Sequence, residues 1–213
     1  MLLKLISVSF VKSHTMSKIV ASKNGTKKDA IILKAAALFR KKGFAVSSMR
    51  ELAENIGVEA ASLYNHIGSK NELLQSICFK VANDFIKHLT EIEKKSTSVT
   101  QKIEQIVRFH IHMMLEAYDE VYVANHEWKQ LKEPFLSNFL NQRKQYETRL
   151  IELIALGISK KEFKKINPHV AVFTILSAVR GLELWQRQKK VVSIAEVEKS
   201  MLDHLLNGIA KNN

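Results

Sequence analysis

The chain has 213 residues, enough for one mid-sized core or a small domain plus a medium one, and too few for two large domains. Hydrophobic residues at 46% and charged residues at 25% are ordinary for a globular protein, while Cys78, the only cysteine, excludes a disulfide framework and a thiolate metal cluster. A net charge of +12 favours polyanions as partners, nucleic acid before anionic lipid or acidic metabolites, and no apolar run approaches the roughly 20 residues of a bilayer span.

In chain order, residues 1–24 read as a disordered or mis-called extension. The apolar opening from Met1 to Val11 faintly resembles a signal peptide, but it lacks a positive start and a clean small-residue cleavage site, and Met16 opens a polar segment where translation is expected to begin. A reducing, cytoplasmic location is therefore expected. From Lys27 the apolar residues Ile32, Ala35, Ala36 and Phe39 make a helical stripe that ends in Lys41-Lys42-Gly43. A second short helix starts at Ser47 or Ser48, where Ser48 and Glu51 have capping-box spacing, and it breaks at Gly57. A third follows at once over 58–67, with Val58, Leu63 and Ile67 expected inward, so two short helices are joined across three or four residues as in a helix-turn-helix.

Beyond Gly68-Ser69 a long helix is predicted from Lys70 through Leu89, then one over 103–118, a shorter one over 121–132 ended by Pro134, and one over 135–156 stopped by Gly157. Asn167-Pro168 caps a helix running to about 188 that is apolar nearly all round, with only Arg180 and Glu183 charged between Val170 and Trp185. Such a helix must be covered on every side, and a second copy of the chain is the natural cover, together with a last helix over 193–208. The dimer interface is accordingly assigned to Phe173, Leu176, Val179, Arg180, Leu182, Leu184, Trp185, Val197, Met201 and Leu205. The fold class is all-α, about nine helices, with a three-helix helix-turn-helix domain at 25–72 and a roughly six-helix dimerisation bundle at 73–213.

In a helix-turn-helix the second helix enters the major groove while the first crosses the backbone. The surface left to DNA on the third helix is Glu59, Ala60, Ala61, Ser62, Tyr64, Asn65 and His66. Asn65 has the chemistry to read adenine and Ser62 to meet base or phosphate, whereas Ser47, Ser48, Arg50 and Lys70 are placed to hold phosphates. Residues Gly43-Phe44, Ser47-Ser48, Arg50-Glu51-Leu52-Ala53, Gly57-Val58, Leu63-Tyr64-Asn65-His66 and Ser69-Lys70 through Leu73 closely resemble the signature of the TetR family. The resemblance implies a dimeric regulator in which Ser48, Arg50, Ser62, Tyr64, His66 and Lys70 contact double-stranded operator DNA. Two positions depart from it: Glu59 stands where serine or threonine is usual, and Ile67 where an aromatic is usual. Plainer alternatives exist for Ser48 as an N-cap, Tyr64 as half core and His66 as a cap or packing residue.

The same resemblance implies a ligand cavity among the fourth to seventh helices, which carry Phe85, Phe109, His110, Met113, Met114, Tyr118, Tyr122, His126, Trp128, Phe139, Arg143 and Tyr146. This lining suits a small hydrophobic effector, although any one of these residues could equally be core. The stretch from His126-Glu127-Trp128 to Tyr146-Glu147 resembles members that answer to acyl-CoA thioesters, with Arg143 or Lys129 and Lys132 to meet an anionic group. His110 and His112, two apart, point to different helix faces, and no metal or cofactor is expected. No Gly-rich phosphate loop, Gly-x-Ser-x-Gly elbow or His-Glu-x-x-His motif occurs, so an enzyme is not expected. The competing reading is a structural or division-associated DNA binder whose bundle meets a protein partner.

Overall fold

The computed structural model describes residues 27–65, 67–187 and 192–209, so the expected N-terminal extension lies outside the described residues. Helix α1 (Lys27–Lys42) buries Ile31, Ile32, Ala35, Ala36, Leu38 and Phe39, and its last turn carries Arg40, Lys41 and Lys42 at the end where the helix dipole favours cations. Helix α2 (Met49–Ile56) starts at Ser48, whose hydroxyl accepts from the Glu51 amide at 3.1 Å. The reciprocal half of the expected capping box does not form, because the Glu51 carboxylate pairs with Lys42. Gly57 ends α2 at φ +80°, a left-handed conformation that favours glycine, and its amide reaches the Ala53 and Glu54 carbonyls.

Helix α3 (Ala60–Tyr64) is shorter than the expected 58–67. Leu63 and Ile67 are buried as expected, but Val58 is not: it sits in the connection ahead of α3 and remains 40% exposed. Ser69 caps α4 (Lys70–Glu93), and α5 (Val99–Glu116) opens with a complete capping box between Ser98 and Gln101. Helix α6 (Tyr118–His126) begins directly after Ala117, three residues before the expected start. It ends before Trp128–Gln130, which form a short 3-10 turn instead of continuing to residue 132.

Helix α7 (Phe135–Ser159) runs straight through Gly157, contrary to the expected stop. Gly157 is there for space: a Cβ at this position would lie 2.3 Å from the ring of Phe163, which folds back onto the helix and is buried. Helix α8 (Pro168–Arg180), capped by the Asn167 side chain, is interrupted at Gly181 and resumes as α9 (Leu182–Arg187), and α10 (Ile194–Ile209) completes the chain. With α8 and α9 taken as two halves of one broken helix, nine helices result, and the described residues contain no strand. Helix α1 packs on α4 and α6 and carries α2, against which α3 packs, and α4, α5, α7 and α8 form the body of the bundle. Arg149 of α7 fastens α4 by donating to Glu93 and, at 2.8 Å, to the Thr90 hydroxyl. Among the described residues no helix is long and apolar enough to cross a membrane.

Candidate DNA-binding and effector sites

On the DNA-facing side, α2 and α3 are held by a core that includes Leu52, Ala53 and Leu63. Arg50 and Ser48 are exposed on α2, and Ala61, Ser62, Tyr64 and Asn65 are exposed on or beside α3, with Tyr64 at 52%. Ala60 is half-buried, and His66 lies outside the described residues. Arg50 pairs across one turn with Glu54 at 3.2 Å, on a rim so exposed that the pair is easily exchanged for a phosphate.

Two of the expected phosphate holders are committed elsewhere. Ser47 is buried and its hydroxyl donates to the Gly43 carbonyl at 2.7 Å. The Lys70 ammonium donates to the carbonyls of Phe44 and Ser47 at 2.8 Å and Ala45 at 3.1 Å, and sits 4.5 Å from the centroid of the Phe44 ring. An ammonium has three N–H donors, so in this conformation Lys70 is fully used in tying the α1–α2 loop to the start of α4.

Within the bundle, α4, α5, α6, α7 and α8 enclose a cavity of about 120 Å³. Of the twelve residues expected to line it, Phe85, His110, Met114, Phe139, Arg143 and Tyr146 do so. Phe109, Met113, Tyr118, Tyr122, His126 and Trp128 do not. Phe109 is one layer back, stacked on His88 with centroids 4.0 Å apart and in edge contact with Phe85. Met113 is buried away from the cavity, and Trp128 lies behind Arg143. Residues Val81, Ala82, Ile86, Val121, Ala124, Asn125, Gln142 and Glu147 complete the wall with three from α8: Leu176, Val179 and Arg180. Gln142 could have been found from phase alone, since with Phe139, Arg143 and Tyr146 it forms the i, i+3, i+4, i+7 face of α7.

The cavity is apolar with a few polar groups. The His110 imidazole and the Tyr146 hydroxyl are hydrogen-bonded at 2.8 Å. Burial, with the neighbouring His88 adding to it, pushes the His110 pKa down to about 3, so the ring is neutral at physiological pH. Burial likewise raises the Tyr146 phenol above its ordinary range, and the Cys78 thiol, in the core behind the wall, is raised to about 12 by burial and stays a thiol.

Helix α6 stands between the cavity and the DNA-binding unit. Its inner side contributes Val121, Ala124 and Asn125 to the wall. Its outer side carries Tyr118, Tyr122 and His126 as a ladder, with ring centroids 6.0 and 4.3 Å apart at successive steps. At the lower end Arg40 of α1 pairs with Asp119 and lies 5.3 Å from the Tyr118 centroid; at the upper end His126 Nε2 is 2.9 Å from the Glu183 carboxylate on α9.

The outer face of α8 and α9 leaves Val170, Phe173 and Leu184 at 58, 71 and 63% exposure. Of the other residues assigned to a dimer interface, Val179, Leu182 and Val197 are buried within the protomer, and Leu176, Trp185, Met201 and Leu205 are half-buried. Arg180 is exposed at the mouth of the cavity. Correcting the assignment, Val179 faces the protomer's own cavity and Leu182 its own core, because a helix apolar all round gives no signal of which side looks inward.

A capped helix-turn-helix on an all-helical bundle defines the class: a DNA-binding transcriptional regulator. Residues 31–77 match the bacterial regulatory proteins of the tetR family, and residues 96–209 match the tetracyclin repressor-like C-terminal domain. The chain belongs to the TetR family. It is 19% identical over 193 residues to the HTH-type transcriptional repressor KstR2 of Mycolicibacterium smegmatis, covering 90% of this chain and 94% of that one. It is 20% identical over 181 residues to the fatty acid metabolism regulator protein of Bacillus subtilis, covering 84% and 93%. Among solved structures, its fold is similar to the ketosteroid transcriptional regulator KstR2 of Mycobacterium tuberculosis, with a TM-score of 0.82 at 18% identity over 88% of this chain and 97% of that one. It is also similar to AibR in complex with isovaleryl coenzyme A and operator DNA, with a TM-score of 0.75 at 22% identity, covering 85% and 98%.

Proposed function

We propose that this regulator is a cytoplasmic homodimeric repressor that binds a palindromic operator and is released when a small hydrophobic effector, an acyl-CoA thioester first among the candidates, enters the cavity. The carrying observation is the cavity itself: an apolar space between helices, one of which (α4) starts at the DNA-binding unit while another (α6) is ion-paired to it. An engineered cavity of about 150 Å³ accepts benzene, so a space of this size takes an apolar group of on the order of five heavy atoms. An isovaleryl group fits that size, and the structural relative AibR is described with isovaleryl coenzyme A. In this reading residues 25–72 bind DNA through Ser48, Arg50, Ser62, Tyr64 and Asn65, with His66 beside them, and residues 73–213 sense and dimerise. An apolar cavity among the helices, rather than a solid bundle, favours a sensor over a purely structural DNA binder.

Occupation of the cavity would displace α6 and α4, and through Arg40–Asp119 and Lys70 the helix-turn-helix. Two recognition helices must lie about 34–36 Å apart to occupy successive major grooves, so a modest tilt is enough to break the fit. The shift obtained is bounded by the effector's preference for the released state. The test is selection of bound sequences from a random DNA pool by the full chain at near-physiological salt. An inverted repeat, released from the protein by short-chain acyl-CoA, is the expected result; recovery of no motif overturns the operator reading.

A further inference from the structure

The polar groups of the cavity are unevenly satisfied. Arg143, half-buried on the wall, makes no ion pair among the described residues, and neither does Arg180, whereas Arg40, Arg50, Arg108 and Arg149 all pair with carboxylates. The Arg143 guanidinium instead lies 5.8 Å from the Trp128 ring centroid and 5.9 Å from that of Phe139. Burial lowers its pKa and the Arg180 charge lowers it further. Glu147, one turn along α7, opposes this effect without closing into a pair. The mouth thus holds two cations and one anion, a net positive charge beside an apolar chamber. On the same helix face, Gln142 donates from Nε2 to Asn83 Oδ1 at 3.4 Å, and its Oε1 is buried with no partner. Buried acceptors are nearly always satisfied, and an unmet one on a cavity wall is a place for a missing donor. A wall built only for packing would be better served by leucine at 142 and methionine at 143.

We infer that the effector is an amphiphile: a short apolar acyl tail in the chamber, an anionic group held between Arg143 and Arg180, and a hydroxyl or amide N–H donating to Gln142 Oε1. This rests on the reading that the cavity receives an effector, and deepens it by fixing the ligand's polar half. The anion could be the carboxylate of a free acid or the phosphates of a coenzyme A thioester; the guanidinium pair recognises both. A coenzyme A thioester also carries amide N–H groups beyond its sulfur, whereas an unsubstituted short-chain acid has none.

The test compares the wild-type full chain with Arg143→Met, Arg180→Gln and Gln142→Leu, reading melting temperature and operator release. The probes are isovaleryl-CoA, coenzyme A alone, isovalerate, the neutral N-acetylcysteamine thioester of isovalerate, and S-methyl thioisovalerate, which is neutral and has no N–H. Isovaleryl-CoA or isovalerate should act on the wild type at least tenfold below the concentrations that neutral thioesters need, coenzyme A alone should be inactive, and Arg143→Met should erase that advantage while raising the ligand-free melting temperature. Gln142→Leu should weaken only the probes that carry an N–H. A preference for isovalerate over the coenzyme A thioester assigns the anion to a carboxylate, and the reverse assigns it to phosphate. Equal response to charged and neutral probes, or undiminished response in both arginine variants, overturns the anionic site while leaving the cavity a sensor. A lower ligand-free melting temperature in Arg143→Met makes Arg143 a packing residue and also overturns it. No response to any probe overturns this proposal and the short-acyl effector reading together; Arg180→Gln, at an exposed position, keeps the test open if Arg143→Met fails to fold.

Discussion

Lys70 carries a structural task within a family motif: its ammonium holds three carbonyls of the loop ahead of α2. Its three carbonyl contacts close the loop that presents Ser48 and α2, so Lys70→Met should destabilise the fold by about 2 kcal/mol, measured by urea unfolding. Operator affinity should fall with it, yet the slope of affinity against salt should stay unchanged; a slope reduced by about one would instead make Lys70 a phosphate contact. His110 gives the pH counterpart. The unfolded ring takes a proton near 6.5, but the folded one only near 3, so between these values the unfolded state binds the extra proton. Stability present above pH 6.5 is therefore lost as pH falls, at up to about 1.4 kcal/mol per unit. His110→Gln should flatten the decline of the urea midpoint between pH 7 and 4.5, and an unaltered slope would show that the folded ring takes up its proton as readily as the unfolded one. Neither role is legible from residue type: Lys70 and His110 are both polar residues on otherwise regular helices, and only the third dimension shows which acceptors and rings surround them.

Among the elements, those whose ends carry caps or left-handed glycines were legible almost to the residue. Ser48, Gly57, Ser69 and Asn167 each satisfy orphan amides or carbonyls locally, so the chemistry of a helix end is written in one or two residues. Gly157 misled because its reason is tertiary, the ring of Phe163, and a sequence does not say whether a glycine serves a turn or a close approach. The cavity was half legible for a similar reason: aromatic identity attracts attention to Phe109, Tyr118 and Tyr122, while facing is decided by helix phase, which favours Val81, Ala124 and Gln142. Helix α6 uses both of its sides, one for the wall and one for the ladder to α1 and α9. Asp119→Ala cuts the ladder at α1 without touching the wall. Effector-induced thermal stabilisation should persist in that variant while the effector concentration needed for operator release rises several-fold; loss of both together would place Asp119 in the binding site instead.

For the molecule as a whole, the apolar outer face of α8 and α9 is the feature that one chain leaves unfinished. Phe173 is 71% exposed between Val170 and Leu184, which also project outward. Phe173→Asp should leave the helical content and the cavity intact but produce a monomer by sedimentation, and operator affinity should drop by two orders of magnitude or more as the second half-site contact is lost. A dimer that survives this change would move the interface to another face. Homodimerisation was inferred from the apolar composition of this helix, but the assignment of its residues divided between two faces, since Val179 and Leu176 turn toward the cavity.

In the proposed homodimer that division would make α8 a party wall. Its inner side is part of one protomer's chamber, and its outer side would be the surface offered to the neighbour, so a guest that nudges Leu176 or Val179 would lean on the other protomer's wall as well. The two chambers would then not fill independently: the first guest would set the ease of the second, and derepression would follow effector concentration along a sigmoid with a Hill coefficient between one and two instead of a simple hyperbola. A cell reading such a curve would have a threshold rather than a dial, and the sharpness of that threshold would come from the thickness of a single helix.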